Sequence, residues 1–295
     1  MALRIITGII GIAISAVIIQ LGGAPFTGAV ILLALIGWYE YSVAFGRAGL
    51  ETSFFLGALT LVLILLCAWL GNIEELMAIL TIGSLLVFLT TVLFSMRPHE
   101  AGVSVAGIFY LGLPFAHLIM LRFMADEPHK VNSLVNLASV VSENIGNINF
   151  FETLSNLNFD GGCELVWILF ACTWASDTFA YFIGSAIGSH KLAPSISPNK
   201  TFEGFFGSIV GTALTAVLVG AFIFGYPLQQ MAIIGVVLAI VATLGDLFES
   251  AVKRFTGVKD SGILIPGHGG VLDRFDSILY TAPVFYYIIL VSKLI

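Results

Sequence analysis

Apolar runs of about twenty residues recur along the whole 295-residue chain, and they restrict its possible folds more than any other feature. A helix needs about 20 residues to cross the hydrocarbon core of a bilayer. Helices also satisfy their own backbone hydrogen bonds there. The predicted spans are 4–22, 26–46, 53–71, 76–95, 103–124, 164–188, 203–224, 228–248 and 276–293. The sequence therefore predicts an all-α, polytopic integral membrane protein, a helical bundle of about nine transmembrane helices.

The composition excludes a soluble globular protein of this size. Hydrophobic residues make up 58% of the chain and charged residues only 10%, whereas soluble domains carry about 25% charged residues. The three cysteines, Cys67, Cys163 and Cys172, include no pair with metal-site spacing, and only Cys163 lies outside the predicted spans. Arg4 and the first apolar run are not followed by a signal-peptide cleavage site before the second run, so we expect a retained helix.

Basic residues predict the orientation, because loops on the cytoplasmic side carry an excess of Lys and Arg. With nine spans and the N-terminus inside, nine of the twelve basic residues fall inside: Arg4, Arg47, Arg97, Lys191, Lys200, Lys253, Arg254, Lys259 and Arg274. Only Arg122, Lys130 and Lys293 fall outside. We therefore expect the N-terminus inside, the C-terminus outside, and the chain in a bacterial inner (plasma) membrane.

Three regions follow from this pattern. Residues 1–125 form N-terminal transmembrane helices that we interpret as scaffold. Residues 126–163 form a polar external segment, in which the pattern at 131–148 could make an amphipathic helix at the interface. Residues 164–295 form a C-terminal transmembrane region with two charged loops on the inner side, and we expect the chemistry there.

Carboxylates inside membrane spans are costly and usually mark function. Asp177 lies in the middle of one predicted span, where a structural hydrogen bond between helices is the alternative interpretation. Asp246 lies near the inner end of another span, followed by Ser250 and Lys253 on the same helix face. Asp273 and Asp276, three residues apart at the start of a helix, would also face one way. Paired carboxylates suit a hard cation such as Mg²⁺, and Asp246 could complete that site.

Glycines and basic residues surround these carboxylates. The run Pro266-Gly267-His268-Gly269-Gly270 allows close backbone approach. Basic residues beside acidic ones fit metal-bound phosphates better than a bare cation site; a basic loop that only touches lipid headgroups is the alternative. The other inner loop, with Ser197, Lys200, Thr201 and Glu203, could bind an anion at a helix start or could be an ordinary helix cap.

These residues resemble the phosphatidate cytidylyltransferase (CDP-diacylglycerol synthase) family. The resemblance covers roughly residues 174–280 and consists of short elements at fixed spacing. The first elements are Asp177 with Ala180-Tyr181, Lys191-Leu192-Ala193-Pro194, and Ser197-Pro198-x-Lys200-Thr201-x-Glu203-Gly204. The later elements are Ser250, Lys253-Arg254, Lys259-Asp260, the Pro266–Gly270 turn, and Asp273-Arg274-x-Asp276. The first 165 residues match only in hydropathy.

The resemblance implies the reaction CTP + phosphatidate → CDP-diacylglycerol + pyrophosphate with a divalent metal such as Mg²⁺, and a second cation such as K⁺ could share the carboxylates. Asp246, Asp273 and Asp276 would hold the metal, with Lys253 and His268 also catalytic; His268 could instead only shape the turn. Contacts to phosphates, CTP or lipid would come from Asp177, Lys191, Ser197, Lys200, Thr201, Glu203, Ser250, Arg254, Lys259, Asp260, Gly269, Gly270 and Arg274.

Two other functions use some of the same features. A CTP-dependent lipid kinase could use the same site, and an ion-coupled transporter could use Asp177 on an ion pathway. Clustering of charge at the inner surface and the lack of internal repeats argue against the transporter. The expected partners are CTP, phosphatidate and membrane lipids, without nucleic acid, and a homodimer is left open.

Overall fold

The computed structural model describes residues 2–94, 97–124, 160–262, 269–292 and 294, and for residues 2–7 and 9 it describes the backbone alone. Most of the polar segment 126–163, including the amphipathic helix predicted at 131–148, lies outside the described residues. His268 also lies outside them.

The described part of the chain contains nine α-helices and one β-hairpin. The helices are α1 (Ala2–Leu21), α2 (Gly23–Arg47), α3 (Phe54–Trp69), α4 (Ile73–Leu93), α5 (Pro98–Arg122), α6 (Gly161–Ile187), α7 (Phe202–Ala216), α8 (Leu228–Thr256) and α9 (Leu272–Ser292). A π-helical segment, Val217–Ile223, continues α7. The hairpin strands are β1 (Lys191–Ala193) and β2 (Ser197–Thr201), which pair antiparallel.

Seven of these helices are long and apolar enough to cross a membrane: α2, α4, α5, α6, α7 with its π-helical extension, α8 and α9. Two apolar stretches are shorter, Ile10–Leu21 within α1 and Phe54–Trp69. Helix α3 has sixteen residues, fewer than the predicted span 53–71, and a length of about 24 Å. The prediction of an all-α polytopic bundle is confirmed.

The chain divides into two compact units. The first comprises Met1–Cys163 together with Asp260–Asp273, and the second comprises Glu164–Lys259 together with Arg274–Ile295. Residues 260–273 therefore group with the N-terminal helices in this division, whereas the hydropathy pattern assigns them to the C-terminal region. The reason is a contact between distant parts of the chain, since the backbone N–H groups of Val271 and Leu272 donate to the Glu40 carboxylate of α2.

Small residues bring the helices of the first unit together. A methyl group added to Gly57 of α3 would overlap the Trp38 ring of α2, and one added to Gly107 of α5 would overlap Tyr41. Trp38 is fully buried and donates its indole N–H to the Phe54 carbonyl at 2.9 Å. Close approach through glycine is the usual way for helices to associate where lipid supplies no hydrophobic driving force.

In the second unit, glycines also allow α8 to pack closely against α7 and α9. A Cβ at Gly235 would lie 2.6 Å from the Ala213 Cα of α7, and a Cβ at Gly245 would lie 2.6 Å from the Asp276 carbonyl oxygen of α9. These contacts fix α8 between α7 and α9.

The position of Cys163 differs from the expectation. The thiol lies in the first turn of α6 and is fully buried, with Sγ 3.5 Å from the Gln20 side-chain oxygen. The helix begins three residues before the predicted span 164–188 because Asp160 accepts a hydrogen bond from the Cys163 N–H at 2.7 Å and so caps the helix start.

Candidate active site

Helix α8 extends beyond the end of its predicted span 228–248 and carries several charged residues near its C-terminal end. Its 29 residues measure about 43 Å, which exceeds the hydrocarbon thickness of about 30 Å. The helix continues past position 248 and ends at Gly257, where a left-handed backbone (φ 70°) lets the glycine N–H donate to the Lys253 carbonyl. Asp246, Ser250 and Lys253 are therefore held on one continuous helix.

The hairpin supplies the cation that pairs with Asp246. Nζ of Lys200 in β2 lies 2.6 Å from a carboxylate oxygen of Asp246, and both side chains are partly shielded from solvent, with 22% and 31% exposed. The other carboxylate oxygen accepts from the Ser250 hydroxyl at 3.3 Å. The sequence predicted that Asp246 and Ser250 share a helix face, and the structure adds the contact to Lys200.

Helix α9 places Asp276 beside α8. Gly245 offers no side chain at the crossing, so the Asp276 and Ser277 backbone packs directly on it. The Ser277 hydroxyl donates to the Ala242 carbonyl of α8 at 3.2 Å. Asp276 also accepts from the Ser277 N–H at 2.6 Å. The backbone of α9 is thus fixed against α8 at Gly245, the residue that precedes Asp246.

Four carboxylates of the second unit form what we call the carboxylate cluster: Asp177, Asp246, Glu249 and Asp276. Asp246, Asp177 and Glu249 each lie near enough to repel Asp276 electrostatically. Lys200 and Arg274 lie near enough to attract Asp177. The Asp177 side chain is exposed in the protein, whereas Glu249 is 2% exposed. Both signs of charge are therefore concentrated within an otherwise apolar unit.

Glu249 is a member of the cluster that was not predicted from the sequence. The structure pairs this carboxylate with Lys253, four residues later, at 2.5 Å. The i, i+4 spacing of an acidic and a basic residue was the available signal. Lys253 therefore has Glu249 as an ion-pair partner on α8.

The hairpin connects to α8 and α7 through its polar residues. Nε of Arg254 donates to the Ile196 carbonyl in the hairpin turn at 3.2 Å. Thr201 caps α7, since its hydroxyl accepts from the Gly204 N–H at 3.1 Å, and this agrees with the helix-cap interpretation. Glu203 accepts hydrogen bonds from the backbone N–H of His190 and lies 2.6 Å from its ring Nδ1.

Three further residues of the second unit were predicted to contact substrate: Lys191, Ser197 and Lys259. Lys191 is exposed and pairs with Thr201 in the strand register, and Ser197 pairs with Ala193. Lys259, in the second unit, is also exposed.

In the first unit, Asp273 organises the segment that precedes α9. Its Oδ2 accepts from the Ser261 N–H at 2.8 Å and from the Gly270 N–H at 2.9 Å. Gly269 has φ +85°, a conformation that glycine adopts readily. Asp260 is exposed. Asp273 therefore has backbone partners in addition to the metal-ligand role predicted for it.

The donor chemistry of the carboxylate cluster fits Mg²⁺, which prefers carboxylate oxygens. The mutual repulsion of Asp276 with Asp177, Asp246 and Glu249 would be relieved by a bound cation. Among the residues that the structure describes, no group of three or more His, Cys, Asp or Glu side chains is already arranged as a ligand set. The predicted set of Asp246, Asp273 and Asp276 remains a prediction.

Comparison with known proteins gives the family. A family model described as the cytidylyltransferase family matches residues 2–292. A phosphatidate cytidylyltransferase of Synechocystis sp. is 34% identical over 295 residues, which cover 97% of this chain and 95% of the relative. One from Staphylococcus epidermidis is 38% identical over 192 residues, 64% of this chain and 72% of the relative.

A third relative, the phosphatidate cytidylyltransferase of Bacillus subtilis, is 43% identical over 145 residues, which cover 48% of this chain and 52% of the relative. The family match extends through the N-terminal helices, where the sequence alone showed similarity only in hydropathy. The predicted resemblance and the prediction of a nucleotidyltransferase are confirmed. The chain belongs to the cytidylyltransferase family.

Proposed function

We propose that this protein transfers cytidine monophosphate from CTP to phosphatidate. A phosphate oxygen of the lipid forms a bond to the α-phosphorus of CTP, the bond from that phosphorus to the bridging oxygen breaks, and pyrophosphate leaves. The products are CDP-diacylglycerol and pyrophosphate. The family match over residues 2–292 and the name of the Synechocystis relative support these substrates.

The observation that carries the proposal is that acidic and basic side chains are concentrated together in the second unit. Lys200 is held 2.6 Å from Asp246, and Asp276 lies near three other carboxylates. A transfer between two phosphate-bearing substrates needs cations for their oxygens and acidic groups for a metal. A soluble nucleotide and a lipid can both reach charged groups at the end of membrane helices.

In this proposal Asp246, Asp273 and Asp276 hold Mg²⁺. Asp273 and Asp276 lie three residues apart in α9, which agrees with a shared ligand role. When bound, the metal would neutralise charge on the reacting phosphates. Glu249 and Asp177 are close enough to influence the same charges, and a second cation such as K⁺ remains part of the proposal.

The basic residues would hold phosphate oxygens and orient the two substrates. Lys200 and Lys253 are each paired with a carboxylate, so they are positioned before substrate binds. Arg254 is tied to the hairpin turn through the Ile196 carbonyl, and Arg274 and Lys259 are exposed. Because the attacking phosphate is already an anion, positioning and charge neutralisation would contribute more than a general base.

We also propose that both charged loops face the cytoplasm of a bacterial cell, with the N-terminus inside, in the inner membrane. The uneven distribution of Lys and Arg supports this orientation. Assembly as a homodimer stays a prediction.

The decisive experiment follows two labels of CTP. Purified protein, phosphatidate and Mg²⁺ should move a cytosine-ring label into the organic phase, while a γ-phosphate label should be released as pyrophosphate. A lipid kinase would place the γ label in the lipid and leave the ring label in water as CDP. That second result would contradict the proposal and favour the kinase.

A further inference from the structure

A buried carboxylate on α2 contacts the segment just before α9. Glu40 is 3% exposed and lies within a helix that is apolar enough to cross a membrane. A charged group in such a position is costly and needs partners. Its two oxygens accept from the Val271 N–H at 3.0 Å and from the Leu272 N–H at 2.9 Å. All of these residues belong to the first unit.

The backbone around Glu40 is shaped for this carboxylate. A methyl group at Gly262 or at Gly270 would overlap its Oε1, so the absence of side chains at both glycines makes room for it. The Leu272 side chain packs on Gly37, one turn before Glu40 on the same helix, where an added Cβ would lie 3.4 Å from its Cδ2. The segment before α9 is therefore held to α2 by backbone hydrogen bonds and by packing of the Leu272 side chain.

Glu40 and Asp273 divide the backbone donors of this segment between them. Asp273 accepts from Ser261 and Gly270, while Glu40 accepts from the next two residues. The two carboxylates are close enough to repel each other, and the four N–H groups offset that repulsion. The position of Asp273 thus depends on a backbone that Glu40 holds, at the start of the helix whose N-terminus favours negative charge.

We infer that Glu40 is a positioning residue for the transferase reaction: it holds the segment 270–272 so that Asp273 is correctly placed. This inference rests on the proposed function. Glu40 itself touches backbone only and is not assigned to substrate or metal. Loss of a group that orients a metal ligand typically lowers metal affinity or activity about 10- to 100-fold.

The test compares Glu40→Ala and Glu40→Gln with wild type in detergent. Glu40→Ala removes both acceptors and should lower kcat about 10- to 100-fold and raise the Mg²⁺ concentration for half-maximal rate, with little change in KM for phosphatidate. Glu40→Gln keeps the size and one acceptor oxygen, so its loss should be smaller. If Glu40→Ala does not fold, Glu40→Gln carries the same comparison.

Glu100→Gln is the matched control. Glu100 is 5% exposed and accepts backbone N–H groups of Glu51 and Arg97, but its contacts lie away from segment 270–272. This variant should lose thermal stability while its dependence on Mg²⁺ stays that of wild type.

Hydrogen exchange gives a readout that does not depend on activity. The Val271 and Leu272 amides should exchange slowly in wild type and in Glu100→Gln, and faster in Glu40→Ala. Unchanged exchange, or faster exchange with wild-type kcat and Mg²⁺ dependence, would overturn the inference. So would equal losses of activity and stability in Glu40→Ala and Glu100→Gln with the same Mg²⁺ dependence. A wild-type protein without transferase activity would refute the proposed function, while slow exchange lost in Glu40→Ala would still support the holding role of Glu40.

Discussion

Substituting Gly245 with alanine should reduce catalysis by displacing Asp276. The added Cβ would lie 2.6 Å from the Asp276 carbonyl oxygen and 3.2 Å from the Ser277 Cα, whereas ordinary contact begins at 3.4 Å. The backbone of α9 must therefore move by about 0.8 Å, the difference between 3.4 and 2.6 Å. Overpacking of this kind costs about 1–3 kcal/mol, and a misplacement of about 1 Å can lower a rate about 100-fold.

Gly235→Ala is the matched control for this experiment. Its Cβ would lie 2.6 Å from the Ala213 Cα, 2.8 Å from the Ala216 Cβ and 2.9 Å from the Thr212 carbonyl oxygen, so the overlap is at least as severe as at Gly245. Gly235 lies ten residues earlier on α8, about 15 Å away. Gly235→Ala should lose at least as much thermal stability in detergent as Gly245→Ala. Only Gly245→Ala should lose kcat, by about 10- to 100-fold, in the assay of ring-labelled CTP with phosphatidate.

The kinetic comparison decides the outcome. If Gly245→Ala were as active as Gly235→Ala, the contact between α8 and α9 would not position a catalytic group. If both lost kcat equally, the loss would reflect general destabilisation. Either result would refute the reasoning.

Two further predictions concern the carboxylates and the topology. Asp276→Asn keeps an oxygen for the Ser277 N–H, which lies 2.6 Å from Asp276, so the fold should persist while turnover falls at least about 100-fold; near-wild-type activity in saturating Mg²⁺ would remove Asp276 from the site. The native cysteines are buried and should not react with an impermeant maleimide, so single cysteines at the exposed positions Ala48 and Glu74 can report orientation. With the N-terminus inside, Glu74→Cys should label in intact spheroplasts and Ala48→Cys only after permeabilisation, and the reverse pattern would invert the proposed topology.

Local sequence patterns were sufficient to predict the helices and the family. Hydrophobic runs predict membrane helices because bilayer thickness fixes their length and because every backbone group must be satisfied within the helix. Fixed spacing of Asp, Lys and Gly in the C-terminal third identified the cytidylyltransferase resemblance before any contact was known. The contact between Asp246 and Ser250 followed from helical periodicity alone, since the two residues are one turn apart.

Helix ends were predicted less well where capping residues decide them. The start of α6 is set by the Asp160 cap, and the end of α8 is set by the left-handed Gly257. Both lie beyond the hydrophobic core of the run, so hydropathy alone places them several residues short. The short hairpin was also missed, because its three and five residues are too few for a clear period-two pattern.

The tertiary structure decided which acidic and basic side chains form contacts with each other. Lys200 and Asp246 are far apart in sequence, and their 2.6 Å ion pair depends on how the hairpin packs on α8. Glu40 lies 231 residues before Val271, so no local pattern could connect them, although a carboxylate within an apolar span was itself a signal of function. The sequence alone determined where the helices form and which chemistry the chain carries, because both depend on neighbouring residues. Only the tertiary structure decided the partners of the buried charges, since those contacts depend on packing between distant helices.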